Sequence, residues 1–88
     1  MDLPARPKLA RRARLQWDER DRKYFILYPE RGLALNPSAA EVVKLCDGSR
    51  SVEDIVQALA STMTTPLEIV AKDVRAFLER LAEKKLIE

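Results

Sequence analysis

Hydrophobic and polar positions alternate in the first part of the chain and recur at helical spacing in the second. Residues 13–17 alternate with a period of two, which predicts a strand with one buried face. Residues 24–28 are aromatic and branched, which predicts a strand covered on both sides. Turn residues at 29–32 lead into a short third strand that ends at residue 35. The pattern therefore predicts a three-stranded antiparallel sheet.

Three helices are predicted after the sheet. Asn36 caps the first helix, and Ser51 and Asp54 form a capping box at the start of the second. Thr65 is the predicted cap of the third, with Glu68 reaching back to the N–H of the cap. Each helix has an apolar stripe: Ala39, Val42, Val43 and Cys46; then Val52, Ile55, Val56, Leu59 and Met63; then Leu67, Val70, Val74, Phe77, Leu78 and Leu81.

This order of elements predicts an α+β domain with the layout of a winged helix-turn-helix variant whose hairpin comes first. Residues 12–88 are predicted to form this single domain, with a short extended piece at 86–87. Residues 1–11, which include two prolines, are predicted to be a flexible basic N-terminal arm. A chain of 88 residues holds one small core, so a deep substrate cavity is not expected.

The composition removes most catalytic chemistry. The chain has no His, one Cys and two Gly. It therefore lacks an imidazole base or ligand, a cysteine-rich metal cluster and a glycine-rich phosphate loop. We expect no catalytic residues, no metal and no cofactor, and hence no enzyme activity. Cys46 is interpreted as a core residue, and a free thiol without an apolar signal-type stretch favours a cytoplasmic protein that does not enter a membrane.

Positive charge is concentrated near the N-terminus. Residues 1–14 contain five basic side chains and one acidic one, although the whole chain has a net charge of only +2. Two interpretations remain open, a solvated arm and an arm that attracts an acidic partner.

The third predicted helix has a different charge pattern. Glu68 and Lys72 lie one turn apart, as do Arg75 and Glu79, so its solvent face is self-neutralised. DNA binding needs an unpaired basic surface, because counterion release supplies most of its affinity. The pattern therefore argues against nucleic acid as a partner, and a winged-helix DNA-binding module is kept as the alternative function.

The edge of a three-stranded sheet can accept a further strand. The third predicted strand has no charge or proline between Gly32 and Leu35 that would block such pairing. An extended peptide can therefore add to it through main-chain hydrogen bonds. The alternatives are that the N-terminal arm covers this edge, or that a second copy does so, which would turn the monomer into an edge-paired or swapped homodimer.

Several short motifs, taken together, resemble the PqqD family, coenzyme PQQ synthesis protein D. They are PKLA at 7–10, RLQWD at 14–18, LYPE at 27–30, LN at 35–36, LCDG at 45–48, DV at 73–74 and FL at 77–78. Their order and spacing, over nearly the whole chain, carry the resemblance. The family often has Gly before its closing Leu-Leu or Leu-Ile, where this chain has Lys85.

The resemblance implies a non-catalytic peptide-binding protein. Proteins similar to PqqD bind the precursor peptide PqqA and present it to the radical SAM enzyme PqqE during pyrroloquinoline quinone biosynthesis. They also exemplify the recognition element of pathways for ribosomally made, modified peptides (RiPPs). The resemblance places the peptide along the third strand and against the last helix. The expected contact residues, with the helix positions assigned from spacing, are Gly32, Leu33, Ala34, Leu35, Asp73, Val74, Phe77, Arg80 and Leu81.

Overall fold

Three antiparallel strands and three helices follow one another along the chain. A computed structural model describes residues 3–29 and 31–88, so Glu30 of the predicted turn lies outside the described residues. The predicted α+β order of elements is confirmed. The sheet has the strand order β1-β2-β3. The elements are β1 (Arg14–Asp18), β2 (Lys23–Tyr28), β3 (Arg31–Leu35), α1 (Pro37–Leu45), α2 (Val52–Ala60) and α3 (Leu67–Glu83).

One face of the sheet packs against the helices. The register places Leu15, Ile26 and Leu33 in one row across the three strands. Ile26 is fully buried, and helix α1 contacts both β2 and β3. Phe25 and Leu27 point to the other face because side chains alternate along a strand, and neither joins the core cluster. The prediction that β2 is covered on both sides is therefore wrong among the described residues.

The core is built from the apolar stripes of the helices together with the inner face of the sheet. Most stripe positions are buried as predicted, but Met63 and Leu67 are 41% and 45% exposed. Helix α2 ends at Ala60 and α3 begins at Leu67, so Met63 lies in the connection and Leu67 in the first turn. The buried residues are Ile26, Leu35, Ala40, Val42, Val43, Cys46, Val52, Ile55, Val56, Leu59, Val70, Val74, Leu78, Leu81, Leu86 and Ile87.

Two of the three predicted helix caps are confirmed. The Asn36 side-chain oxygen accepts the Ala39 N–H at 2.7 Å. At α2, the Ser51 hydroxyl oxygen accepts the Asp54 N–H at 3.0 Å, and the Asp54 carboxylate accepts the Ser51 N–H at 3.1 Å. These bonds occupy donors that the first helical turn leaves without partners.

The predicted cap at Thr65 is wrong. Pro66 is the N-cap of α3, and within the described residues no side chain makes a capping hydrogen bond to this helix. The Pro66 backbone is extended (ψ 142°), and its carbonyl already accepts the N–H groups of Ile69 and Val70. The first helical bonds are therefore made at Pro66, one residue later than a Thr65 cap requires.

Helix α3 ends in a Schellman motif at Lys85, the position where the family often has Gly. Lys85 has a left-handed backbone with φ of 61°. The Leu86 N–H donates to the Leu81 carbonyl at 2.9 Å, and the Lys85 N–H donates to the Ala82 carbonyl at 3.0 Å. These two bonds define the motif. A side chain therefore occupies a conformation that glycine adopts without cost.

Residues 7–10 of the predicted N-terminal arm are bonded to the body of the domain. Pro7 is fully buried, its carbonyl accepts the Gly48 N–H, and Leu9 forms an isolated bridge with Ile87. A boundary at residue 11 therefore does not match the contacts. Sequence patterns describe local structure, whereas this pairing joins segments almost a whole chain length apart. The predicted extended piece at 86–87 is the segment with which residues 8–10 pair.

Candidate peptide-binding site

The outer edge of β3 carries no further strand among the residues that the structure describes. Tyr28 and Arg31 pair across a two-residue connection, which makes them a hydrogen-bonded pair. Hydrogen-bonded and non-hydrogen-bonded pairs alternate along an antiparallel ladder. Gly32 and Ala34 therefore direct their N–H and C=O groups away from β2, toward the open edge.

The four predicted strand residues divide into two pairs. Gly32 and Ala34 are exposed and offer their main-chain groups at the edge. Leu33 and Leu35 direct their main-chain groups to β2 and their side chains to the core, where Leu35 is only 4% exposed. An added strand would therefore bond to Gly32 and Ala34, and the two leucines would hold β3 in place.

A groove of about 570 Å³ lies between the start of α1, the end of α2 and one side of α3. Its α1 wall follows β3 directly, because Leu35 is the last residue of β3 and Asn36 caps the helix. The open edge and the groove are thus joined by one continuous stretch of chain. The groove residues are Asn36, Pro37, Ser38, Ala39, Glu41, Val42, Leu59, Thr62, Met63, Thr65, Val70, Asp73, Val74, Ala76, Phe77 and Arg80.

Four of the five predicted α3 residues line this groove: Asp73, Val74, Phe77 and Arg80. Leu81 does not, because its side chain is fully buried in the core. Positions 74, 78 and 81 follow the buried stripe, whereas 73, 77 and 80 lie one step around the helix. The assignment of Leu81 to the groove wall is therefore corrected to a core position.

The groove has an apolar floor and a charged rim. Val70, Val74 and Leu59 are buried at its base, and Phe77 is half-buried above them. Exposed Asp73 and Arg80 stand at the rim, and the Arg80 guanidinium carbon lies 5.7 Å from the centroid of the Phe77 ring. Such a surface can take an apolar side chain of an extended segment and orient its polar neighbours.

The sequence prediction missed twelve of the sixteen groove residues, and two groups of them show why. One is the start of α1, residues 36–39, which lies close to α3 only because of tertiary packing. The other includes Met63, which the apolar spacing places in the core stripe of α2. The apolar spacing alone does not separate an exposed Met from a core Met at this position, although flexible Met side chains suit binding surfaces.

The described residues contain no group of side chains placed to hold a metal ion. Cys46 is 6% exposed, as predicted for a core residue. Burial raises the pKa of the Cys46 thiol to about 11, and the Asp47 carboxylate adds to this in the same direction. The thiol is therefore protonated and inaccessible. Within the part of the chain that is described, none of the helices has the length and apolar character needed to cross a membrane.

The charges on α3 are arranged differently from the predicted pairs. The Arg75 Nη2 atom lies 3.8 Å from the Oε2 atom of Glu53 in α2. Neither Glu68 with Lys72 nor Arg75 with Glu79 forms an ion pair among the described residues. Acidic and basic side chains nonetheless alternate along α3, so this helix offers no continuous basic surface to phosphates.

Comparison with known protein families and sequences gives one consistent result. The family model for "Coenzyme PQQ synthesis protein D (PqqD)" matches residues 23–87. A "PqqA binding protein" from Rhodopseudomonas palustris (strain TIE-1) is 45% identical over 80 residues, which is 91% of this chain and 78% of that protein. A "PqqA binding protein" from Gluconobacter oxydans is 38% identical over 78 residues, or 89% of this chain and 81% of that protein.

A solved structure has the same fold. The solution NMR structure of the PqqD truncation of Methylobacterium extorquens PqqCD superposes with a TM-score of 0.80 and 38% identity, covering 93% of this chain and 87% of that one. That protein is described as a functional and stand-alone RiPP recognition element. The three-stranded sheet followed by three helices is therefore the architecture of that recognition element.

Proposed function

This chain belongs to the PqqD family, and we propose that it binds the precursor peptide PqqA without catalysing a reaction and presents it to the radical SAM enzyme PqqE in pyrroloquinoline quinone biosynthesis. The name of the Rhodopseudomonas palustris relative, "PqqA binding protein", supports the choice of peptide. The name of the recognition element with the same architecture supports the class of ligand.

The observation that carries the proposal is the unpaired outer edge of β3. Gly32 and Ala34 present main-chain donors and acceptors there, and among the described residues no strand of the chain satisfies them. A row of such groups is a template for an extended peptide. The small residues at both positions leave room for the side chains of the guest on that face of the sheet.

The groove beside this edge gives selectivity to an otherwise main-chain interaction. Side chains of an added strand alternate between the two faces of the sheet. Those on the helix side would meet Phe77 and Val74, with Asp73 and Arg80 at the rim. Residues 12–88, joined by the segment at 7–10, would act as one peptide-recognition domain.

The remaining assignments follow from this role. We expect the loaded protein to bind PqqE as a monomer in the cytoplasm, with no cofactor of its own. Pairing of two copies through the β3 edge would compete with the peptide for the same main-chain groups. The alternative function, DNA binding through α3, is not favoured because acidic side chains alternate with basic ones along this helix.

Titration with synthetic PqqA tests the proposal. Calorimetry should give a saturable interaction, and amide chemical-shift changes should cluster at β3 and along the groove side of α3. Phe77→Ala should weaken PqqA binding about tenfold, because the half-buried Phe77 ring provides aromatic surface in the groove. Leu67→Ala is the matched control, since Leu67 is an exposed apolar residue of α3 outside the groove.

Urea unfolding of both variants separates a binding effect from a folding effect. The proposed function is wrong if the folded wild-type chain does not bind PqqA, or if the chemical-shift changes lie elsewhere. A random DNA duplex, titrated at low and high salt, tests the alternative. A nucleic-acid binder should show affinity that falls steeply with salt.

A further inference from the structure

The face of the sheet that points away from the helices forms an apolar surface with a basic end. Phe25 and Leu27 are half-buried there, and their side chains are not among those packed against the core cluster. Among the described residues, no helix or strand packs over them. The register places two rows on this face that cross all three strands: Gln16, Phe25 and Ala34, then Arg14, Leu27 and Gly32. We call this surface the outer sheet face.

Arginines surround Leu27 at one end of the outer sheet face. A shallow cleft of about 390 Å³ is lined by residues 11–14 and by Leu27, Tyr28 and Pro29. Arg11, Arg12 and Arg14 are all exposed. The ion pairs found within the described ranges involve Lys44, Arg50 and Arg75 instead. The three guanidinium groups at the cleft therefore have no carboxylate partner among these residues.

The chemistry of this surface favours an acidic protein surface as its partner. Guanidinium groups bind carboxylates with two parallel hydrogen bonds, and the apolar pair Phe25 and Leu27 supplies area that such a partner can bury. A second copy docked face to face with the same ends together would bring arginines against arginines, which like-charge repulsion disfavours. At the other end of the same face Asp18 is the register partner of Lys23, so the basic charge does not extend across the face as a nucleic acid would require.

The outer sheet face is continuous with the edge that accepts the peptide. Gly32 and Ala34 belong to both, and neither has a large side chain. A strand added to β3 would place every second side chain on this face, next to Gly32 and Ala34 and in the same rows as Phe25 and Leu27. A protein docked there would therefore contact the domain and its bound peptide at the same time.

We propose that the outer sheet face, with Arg11, Arg12 and Arg14 at its end, is the surface through which the loaded domain binds an acidic patch on the enzyme that modifies the peptide. This inference rests on the proposed function, because the enzyme is the partner that must reach the peptide. The arginines set the orientation and the salt dependence of the contact, and Phe25 with Leu27 forms its apolar centre.

Charge reversal tests this surface. The double variant Arg11→Glu and Arg12→Glu is titrated with PqqE, in the presence of saturating PqqA, at about 50 and about 300 mM NaCl. We expect the wild-type affinity to fall with salt, and the double variant to bind PqqE about tenfold more weakly at low salt. Arg20→Glu with Lys72→Glu is the control, since it changes the net charge equally at exposed positions outside the cleft.

Binding of PqqA to each variant is measured separately, so the two proposals can fail independently. Unchanged PqqE affinity in the double variant overturns the docking surface alone. No PqqE binding by the wild type overturns both the docking surface and presentation to PqqE, while PqqA binding still stands. Equal loss in the control pair also overturns the docking surface. The docking surface is also overturned if the chain binds a random DNA duplex more tightly than it binds PqqE. It is overturned as well if the chain self-associates and Phe25→Gln abolishes this self-association. Failure of the wild type to bind PqqA overturns both proposals.

Discussion

Lys8 and Glu88 exchange two backbone hydrogen bonds across the ends of the chain. The Lys8 N–H donates to the Glu88 carbonyl at 3.0 Å, and the Glu88 N–H donates to the Lys8 carbonyl at 2.8 Å. The Ala10 N–H donates to the Leu86 carbonyl at 2.8 Å, and Pro7 is buried beside them. The segment at 7–10 therefore holds residues 86–88 in place. The basic side chains of this segment and of the residues next to it are thus attached to a folded part of the domain.

Deletion of residues 1–11 should destabilise the domain. The deletion removes the backbone bonds of Lys8 and Ala10 and the buried Pro7, so we expect the free energy of unfolding to fall by about 2 to 4 kcal/mol. Urea unfolding followed by circular dichroism measures it. The control is Arg11→Ala with Arg12→Ala, which removes charge and keeps the backbone bonds. An unchanged midpoint for the deletion would contradict a structural role. Charge reversal is therefore the better test of the arginines.

Proline at position 34 should block strand addition. The Ala34 N–H points to the open edge of β3 and not to β2, so Ala34→Pro removes a donor for the guest and no ladder bond. We expect PqqA affinity to fall about tenfold in calorimetry. Ala34→Ser keeps the N–H and should bind PqqA as the wild type does.

The fold of the Ala34 variants is checked by urea unfolding. Leu33→Pro serves as the opposite control, because its N–H bonds to β2 and its loss should unfold the sheet edge. If Ala34→Pro is folded and binds PqqA with unchanged affinity, the peptide does not pair with this edge.

Local signals predicted the fold better than they predicted the site. The caps at Asn36 and Ser51 could be predicted because a side chain and an N–H three residues apart determine each of them. Phe77 and Leu81 share one apolar stripe, yet one lines the groove and the other is fully buried. Helical periodicity gives the direction of a side chain, and only the packing of α1 and α2 decides what it meets there. No local sequence pattern indicates the contact of Lys8 with Glu88.

Glycine at position 85 should stabilise the protein. Lys85 has φ of 61°, where its Cβ approaches the backbone, and the Schellman bonds around it do not involve its side chain. Relief of this strain exceeds the entropy that glycine adds to the unfolded chain, so Lys85→Gly should raise the free energy of unfolding by about 1 kcal/mol. Lys84→Gly is the control, because Lys84 has φ of −84° and no such strain to relieve. This variant should therefore only be less stable than the wild type. An unchanged or lower stability for Lys85→Gly would contradict the strain.

Acid should remove the contribution of the capping box at α2. The Ser51 N–H, and then the Ser51 hydroxyl, lower the pKa of Asp54 in the folded protein. A folded pKa below the unfolded value means that the ionised carboxylate stabilises the fold above the unfolded pKa, and that this stabilisation is lost as the pH falls through the folded pKa. Asp54→Asn should therefore be less stable than the wild type at about pH 7, and the difference should shrink toward zero near about pH 2. Urea unfolding across this range measures the difference, with Glu83→Gln on α3 as the control. A difference that stays constant with pH would show that the charge of Asp54 contributes nothing to the cap.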